Sequence, residues 1–324
     1  NMEINKILIT GGAGFIGSHV FDHFSVIFKD SEIEVFDKMT YAANKKNIPT
    51  VFKQDNFKFI QADLIDIDAC LKATYEKDLV INLAAESHVG NSFEDSIVFS
   101  RSNSLGTHTL IEACKRNNVK KIIHVSTDEV YGENIDSKFS ENDPLNPTNP
   151  YSATKAAAEM IVQGYFKSFH LPVVVVRANN IYGIRQYPEK IIPKFITRAL
   201  KDLPLEIQGD GSHRRHYLSA LDFAEALEIV LKNFTPGQIF NIASDLELTN
   251  LEVAQNINDL LRPNSGDEDI LFVSDRPFND SRYAVNDSKI RDLGWKPKKS
   301  LINDLPQMIE WYKKNKNWFE APIK

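Results

Sequence analysis

Lys6-Ile-Leu-Ile-Thr10-Gly11-Gly-Ala-Gly14-Phe15-Ile16-Gly17-Ser-His19 is the stretch that decides the fold. A short apolar run ending in glycine reads as a buried strand, and the residues after Gly14 read as a helix. Glycine lets the turn between them tighten, lets backbone approach a pyrophosphate, and lets the helix pack close to the sheet. Free N–H groups and the positive end of that helix then face the phosphates. The spacing is Gly-x-x-Gly-x-x-Gly, and its context makes it informative. Asp37 closes a second apolar run, about 20 residues beyond Gly17. A carboxylate there accepts hydrogen bonds from adenosine ribose hydroxyls and repels a 2′-phosphate, so NAD is expected over NADP. Gly11, Gly14, Phe15, Ile16, Gly17, Asp37 and Lys38 are the expected cofactor contacts. The competing reading is a tight turn with Asp37 as a helix cap.

Outward from that unit the chain alternates short apolar runs with helical patterns, the signature of βαβ units and a parallel sheet. Further strands are expected at 32–36, 57–61, 79–83, 121–125 and 171–177, with a long helix over roughly 93–117. Asp63-Leu64 ends the third strand within reach of an adenine, or caps the next helix. Leu83, Ala84 and Ala85 leave the fourth strand as small or apolar residues that let the nicotinamide side of a dinucleotide lie against backbone. The fold class is therefore α/β, a doubly wound parallel sheet with a smaller mixed α/β C-terminal lobe. Residues 2–180 are expected to form the dinucleotide-binding part, with later segments returning to it. Residues 181–324 are expected to form the substrate lobe, with helices near 190–202, 220–232, 249–261 and 302–314 and strands at 205–208, 238–242 and 270–273.

At 324 residues the chain can bury a large core, and its net charge of −6 offers no basic field for nucleic acid or anionic lipid. An anionic small substrate needs a local basic pocket. Cys70 and Cys114 are far apart and show no metal spacing, which fits reduced structural thiols. His88, His213 and His216 are not spaced as ligands, and no metal is expected. No apolar run reaches membrane-spanning length and no signal-peptide pattern opens the chain, so a cytoplasmic location is expected.

Chemistry concentrates in two strings. Pro150 opens a helix on which Tyr151 and Lys155 share a face, one turn apart. A nearby ammonium and an oxidised nicotinamide favour the phenolate, lowering a phenol pKa that is near ~10 in water. Tyr151 can then take the proton of a substrate hydroxyl, with Lys155 also reaching the nicotinamide ribose. Thr127, at the end of the fifth strand, can share the substrate oxygen. Asp128 and Glu129 follow at once. Two close carboxyls split their pKa values, one staying protonated and one ionised, as elimination of water requires. Spacing leaves open which is acid and which is base. The bland alternative is a capped, solvated acidic pair.

These strings carry a resemblance. Thr10-Gly-Gly-Ala-Gly-Phe-Ile-Gly-Ser-His19, Leu83-Ala-Ala-Glu-Ser-His-Val89, Ser126-Thr-Asp-Glu-Val-Tyr-Gly132, Asn149-Pro-Tyr-Ser-Ala-Thr-Lys155 and Asn179-Asn-Ile-Tyr-Gly183 run through most of the chain. It resembles an extended short-chain dehydrogenase/reductase with a Rossmann-like fold, specifically a nucleoside-diphosphate-glucose 4,6-dehydratase. The resemblance implies that Tyr151 with Thr127 oxidises C4, Glu129 is the base at C5, and Asp128 is the acid for the C6 hydroxyl. NAD is regenerated by reduction at C6. It implies Glu86, Ser87, Asn180, Lys190, Arg215, Asn241, Arg276 and Asn279 as further substrate contacts, with Arg214 the rival of Arg215.

The Arg276-Pro-Phe-Asn279 string looks closest to the dehydratase part of plant UDP-rhamnose synthases, which implies UDP-glucose as substrate and dTDP-glucose as the near alternative. Bacterial relatives usually carry Val-Asp-Arg-Ser where this chain has Val89-Gly-Asn-Ser92. The family also implies a homodimer through a four-helix interface built from residues 93–117 and 152–169. A UDP-sugar 4-epimerase is the competing enzyme class, against which Asp128-Glu129 argues. A non-catalytic NAD-binding protein would not need those carboxylates.

Overall fold

The computed structural model describes residues 3–40, 42–85, 96–277 and 279–319. β1 (Lys6–Thr10), β2 (Glu32–Asp37), β3 (Phe57–Gln61), β4 (Leu79–Asn82), β5 (Lys121–Thr127), β6 (Val173–Ala178) and, from much later, Ile239–Ile242 form one sheet of seven strands. The order is Ile239–Ile242, β6, β5, β4, β1, β2, β3, and every pairing is parallel. Near-continuous Val, Ile and Leu runs such as Leu79-Val-Ile are what a sheet buried on both faces requires. The strand order reverses at β1 and β4, so the crevice at their carboxyl ends is where an α/β sheet takes its ligand.

Helices cover both faces. α1 (Phe15–Ile27) lies on one, and α2 (Ile67–Thr74), α3 (Gly106–Arg116) and α4 (Pro150–Phe169) lie on the other. Pro150 occupies the first turn of α4 and the Asn149 side chain accepts from Ser152 N, so local chemistry starts that helix where the sequence places it.

The expected helix over 93–117 is not uniform. Residues 93–95 lie outside the described residues, and Ser96–Phe99 runs into a π-helical turn at Ser100–Leu105 before α3. The wide turn directs polar side chains at α4. Asn103 Nδ2 donates to Thr154 Oγ1 at 3.1 Å and Ser104 Oγ to the Thr154 carbonyl at 3.0 Å.

The second half builds a smaller layer. It contains β7 (Asn180–Tyr182), α5 (Ile191–Leu200), β8 (Leu205–Gln208) and β9 (Arg214–Ser219). α6 (Ala220–Lys232), β10 (Ile239–Ile242), β11 (Glu247–Thr249), α7 (Asn250–Leu261), β12 (Ile270–Val273) and α8 (Leu301–Lys314) follow. β7, β9 and β11 form one small sheet, and β8 and β12 another. Two later segments pack with the large sheet. β10 is the edge strand of the large sheet, and α6 packs Phe223, Leu227 and Val230 into the same core as Phe21 and Phe24 of α1. The reason is apolar length: α6 is buried along one face and could not leave that face in water.

Candidate active site

A cleft of about 600 Å³ opens at the carboxyl ends of β1, β4, β5 and β6 and continues between the sheet and the smaller layer. The glycine turn forms its floor. Gly11 has φ +72°, and a Cβ there would come within 2.8 Å of Ala84 backbone. A Cβ at Gly17 would collide with the Gly11 carbonyl, so glycine is needed for helix and turn to meet. Gly11, Gly14, Phe15, Ile16 and Gly17 all line the cleft, as do Lys38, Asp63, Leu64, Leu83, Ala84 and Ala85.

Asp37 also lines it, and it has a second job. Its Oδ2 accepts from Ala13 N at 2.9 Å and its Oδ1 from Met39 N at 2.8 Å, tying the glycine loop to the end of β2. Burial raises its pKa, while the Met39, Ala13 and Gly14 amides oppose that shift. The cradle, the facing helix end and this carboxylate together fit a dinucleotide. Lys38 reaches Asp63 at 3.3 Å, holding two cleft residues together.

β5 delivers Thr127, whose hydroxyl accepts from Glu129 N at 3.2 Å and so caps the 3-10 turn Asp128–Tyr131. Thr127 and Glu129 line the cleft, whereas Asp128 stands behind them, nearly fully buried. The Thr127 hydroxyl donates to Asp128 Oδ1 at 3.3 Å and Asn179 Nδ2 to its Oδ2 at 3.1 Å. Burial, and then the charge of Glu129, push the Asp128 carboxyl up to about 7. The shift favours the protonated form of Asp128 well beyond an ordinary aspartate.

α4 adds Tyr151 and Lys155 to the wall of the cleft, both buried and both lining it. Lys155 Nζ donates to the Val125 carbonyl at 3.2 Å, and burial brings its pKa down to about 8 against the pull of Glu159 and Glu129. For Tyr151 the protein's groups work against the phenolate that the ammonium and an oxidised nicotinamide are expected to favour. Burial and the charges of Glu129 and Asp128 push its phenol up, so the protein's own groups favour the protonated form. Behind this wall His124 is neutral, its pKa down to about 3 through burial and the Lys155 charge. Its Nδ1 pairs with Asn82 Nδ2 at 3.1 Å, and Asn82 Oδ1 takes the Thr10 hydroxyl at 2.7 Å.

The smaller layer supplies cations. Arg215 on β9 and Arg276 converge on Asn279 Oδ1, at 3.3 and 2.6 Å, and all three line the cleft with Asn180 and Lys190. Arg276 is lowered by burial and by Arg215, the mark of two guanidiniums sharing a pocket. Such a pair suits a diphosphate. Arg214, the rival of Arg215, points elsewhere and pairs with Glu247 at 3.1 Å.

Asn241 requires a correction. It is fully buried on β10 and outside the cleft, accepting from Tyr131 OH at 2.7 Å and donating to the carbonyls of Phe139 and Asn286. The Tyr131 hydroxyl also accepts from Arg177, which is paired with Glu159, so Asn241 belongs to a buried network beneath the carboxylate turn. Glu86, Ser87, His88 and the Val89-Gly-Asn-Ser92 departure lie outside the described residues. Sequence reasoning missed Asn179, the buried donor to Asp128; its place directly after β6 was the available signal. It also missed Gln208 and Tyr217 on the cleft wall, which carry no local signature. Among the described residues no group of His, Cys, Asp and Glu could hold a metal ion. Cys70 and Cys114 are free and buried.

The profile of the family described as GDP-mannose 4,6 dehydratase matches residues 8–308. A dTDP-D-glucose 4,6-dehydratase of Dictyostelium discoideum is 43% identical over 98% of this chain and 84% of its own length. A trifunctional UDP-glucose 4,6-dehydratase/UDP-4-keto-6-deoxy-D-glucose 3,5-epimerase/UDP-4-keto-L-rhamnose-reductase of Arabidopsis thaliana is 44% identical over 97% of this chain, which spans 48% of that protein. The dTDP-glucose 4,6-dehydratase DesIV of Streptomyces venezuelae, solved with NAD bound, superposes with a TM-score of 0.93 at 35% identity, covering 97% of this chain and 99% of its own. A match over nearly the whole chain, on a sheet and cleft already alike in outline, means that this protein belongs to the GDP-mannose 4,6 dehydratase family.

Proposed function

We propose that the protein is an NAD-dependent nucleoside-diphosphate-glucose 4,6-dehydratase, a hydro-lyase that makes the 4-keto-6-deoxy sugar. The observation that carries this reading is one cleft lined by Thr127, Glu129, Tyr151 and Lys155, with Asp128 buried behind Thr127 and its carboxyl pushed up to about 7. NAD, when bound, would supply the acceptor for the C4 hydrogen and the donor at C6. Tyr151 takes the C4 hydroxyl proton, and Thr127 holds the same oxygen. Glu129 removes the C5 proton once C4 is a ketone and returns it to C5 when C6 is reduced. Asp128 meets the cleft at Thr127, whose hydroxyl it already contacts, and its proton leaves with the C6 hydroxyl as water. Arg215, Arg276 and Asn279 hold the diphosphate, which keeps the sugar fixed through all three steps.

The seven-stranded sheet carries the dinucleotide in this reading. Residues 181–324, less α6 and β10, carry the nucleotide sugar. A 4-epimerase has no C5 proton to remove and gains nothing from this carboxyl pair. On the nucleotide base, identities of 43% and 44% to dTDP- and UDP-glucose enzymes offer no choice. The Arg276-Pro-Phe-Asn279 string favours UDP-glucose, giving UDP-4-keto-6-deoxy-D-glucose, a first step towards UDP-rhamnose or a related deoxysugar. Purified protein incubated separately with UDP-glucose and dTDP-glucose is expected to form the keto sugar faster from the former. Preference for dTDP-glucose would overturn the base assignment alone. No keto sugar from either, with UDP-galactose appearing instead, would overturn the dehydratase reading.

A homodimer through the two helical segments at 96–116 and 150–169 fits their exposed apolar side chains, with Ile97 78%, Met160 49% and Phe169 52% accessible. A solution mass of twice 36.8 kDa by light scattering is the expected result, and a monomer at micromolar concentration would refute it. No described helix is long and apolar enough to cross a membrane. The two free thiols fit a cytoplasmic location.

A further inference from the structure

The segment after α8 touches the cofactor cradle by a route that the chemistry does not use. Trp318 Nε1 donates to Asn47 Oδ1 at 2.7 Å. Asn47, fully buried, passes the connection on, its Nδ2 donating to the Ala13 carbonyl at 2.9 Å. Ala13 belongs to the glycine loop, and its own N–H donates to the Asp37 carboxylate at 2.9 Å. One line of hydrogen bonds thus runs from Trp318 to the residue read as the ribose acceptor. Asn44 N joins it on the Ala13 carbonyl at 3.0 Å, while Asn44 Nδ2 donates to the Trp318 carbonyl.

The other contacts of Trp318 fasten it to the second layer. Its ring meets Trp311 of α8 edge-on at 5.1 Å, and the neighbouring Phe319 meets Tyr187, a cleft residue, at 5.2 Å. Tyr312 OH, one residue beyond Trp311, donates to the Gln186 carbonyl at 2.7 Å. Lys46 lies over the Trp318 ring at 5.8 Å. The segment is therefore a strap joining the loop after β2, whose Thr40, Ala42 and Ala43 line the dinucleotide end of the cleft, to the substrate-side wall at Tyr187. Trp318 lies beyond residues 8–308, the span that the family profile matches.

We propose that Trp318 is a positioning residue for the dinucleotide: through Asn47 it holds the glycine loop and Asp37 in their binding geometry and slows cofactor release. This rests on the reading of the cleft as an NAD site. The reaction proposed above returns the cofactor to its starting state each turn, so retention is what a strap at this place would serve. A neutral hydrogen bond is worth a factor of a few up to about tenfold in an equilibrium. Trp318→Phe removes the N–H and keeps a ring; Trp318→Ala removes both.

The experiment is stopped-flow dissociation of NAD from the full chain, with the cofactor content of the purified protein measured alongside. Release is expected to quicken about threefold to tenfold in Trp318→Phe and further in Trp318→Ala. Turnover at saturating NAD should stay within about twofold of the parent for Trp318→Phe. Should Trp318→Ala not fold, the Phe variant alone decides. A parent that holds NAD, with Trp318→Phe releasing it at the parental rate, overturns the strap and leaves the NAD site standing. A parent that binds no dinucleotide overturns both.

Discussion

Glu129→Gln is expected to stop the reaction after C4 oxidation, so that reduced nicotinamide accumulates on the protein and no 4-keto-6-deoxy sugar forms. Glu129 lines the cleft, and its turn is fixed by the Thr127 cap, so the amide should occupy the same place without the ability to take the C5 proton. Loss of a positioned general base costs roughly 10²- to 10⁴-fold in the step it serves. Asp128→Asn is expected to act in the same direction, since the buried carboxyl is the proton source for the departing hydroxyl.

The pH dependence separates the two. Asp128 in the folded protein is raised to about 7 from the ordinary carboxylate value of 3.8, so the acid is intact below about 7 and is lost above it. In single turnovers the decay of reduced nicotinamide, which follows elimination, should be flat below about pH 7 and fall roughly tenfold per unit above. Asp128→Asn should abolish that dependence along with most of the rate. The same shift bears on stability. Between about pH 4 and 7 the unfolded carboxyl has ionised while the folded one keeps its proton, so folding stability declines as pH rises through that window. Wild-type turnover in Glu129→Gln, or failure of both variants to oxidise C4 with the cofactor still bound, would sink the assigned roles.

Tyr151→Phe should have the opposite signature. No reduced nicotinamide is expected to appear on mixing with nucleotide sugar, the first step falling about 10²- to 10⁴-fold while cofactor binding survives on the glycine loop, Asp37 and Lys155. Because burial and the two carboxylates hold the phenol up, C4 oxidation in the parent should quicken with rising pH, opposite in sign to the elimination step. Rapid-mixing absorbance on both proteins reads this directly. An oxidation rate in Tyr151→Phe within tenfold of the parent would remove Tyr151 from the role of base.

The opposed signs are themselves a consequence of packing. From the sequence, Lys155 one turn from Tyr151, together with an oxidised nicotinamide, is expected to lower the phenol. In the structure the ammonium is itself brought down to about 8 by burial, and the dominant influences on Tyr151 are desolvation and Glu129. Helical spacing shows which side chains are neighbours. It does not show how much water they keep, and desolvation is a property of everything packed around them.

Much of the scaffold was legible. All seven strands of the main sheet are short and largely apolar, and the first six lie within two residues of the bounds the sequence predicts. The missed strands β7, β9 and β11 are three to six residues long, and β9 reads Arg-Arg-His-Tyr-Leu-Ser. Its charged end is tolerated because Glu247 pairs Arg214 and lies 3.3 Å from His216 across the sheet, a partner no local window contains. Asn241 misled for the same reason. The family resemblance implies Asn241 as a substrate contact, but Tyr131, 110 positions away, claims it.

The sequence by itself determined what local chemistry controls: glycines that only a tight turn needs, a proline that starts α4, a carboxylate at the end of β2, and a Tyr-x-x-x-Lys face one helical turn long. Each acts over a few residues, so it is written in the order of the chain. Only the tertiary structure decided that Asp128 keeps its proton behind Thr127, that Arg215 rather than Arg214 faces the cleft, and that Trp318 reaches across 271 positions to Asn47. Burial, charge pairing and hydrogen bonding between distant segments set those outcomes, and they exist only once the segments have met.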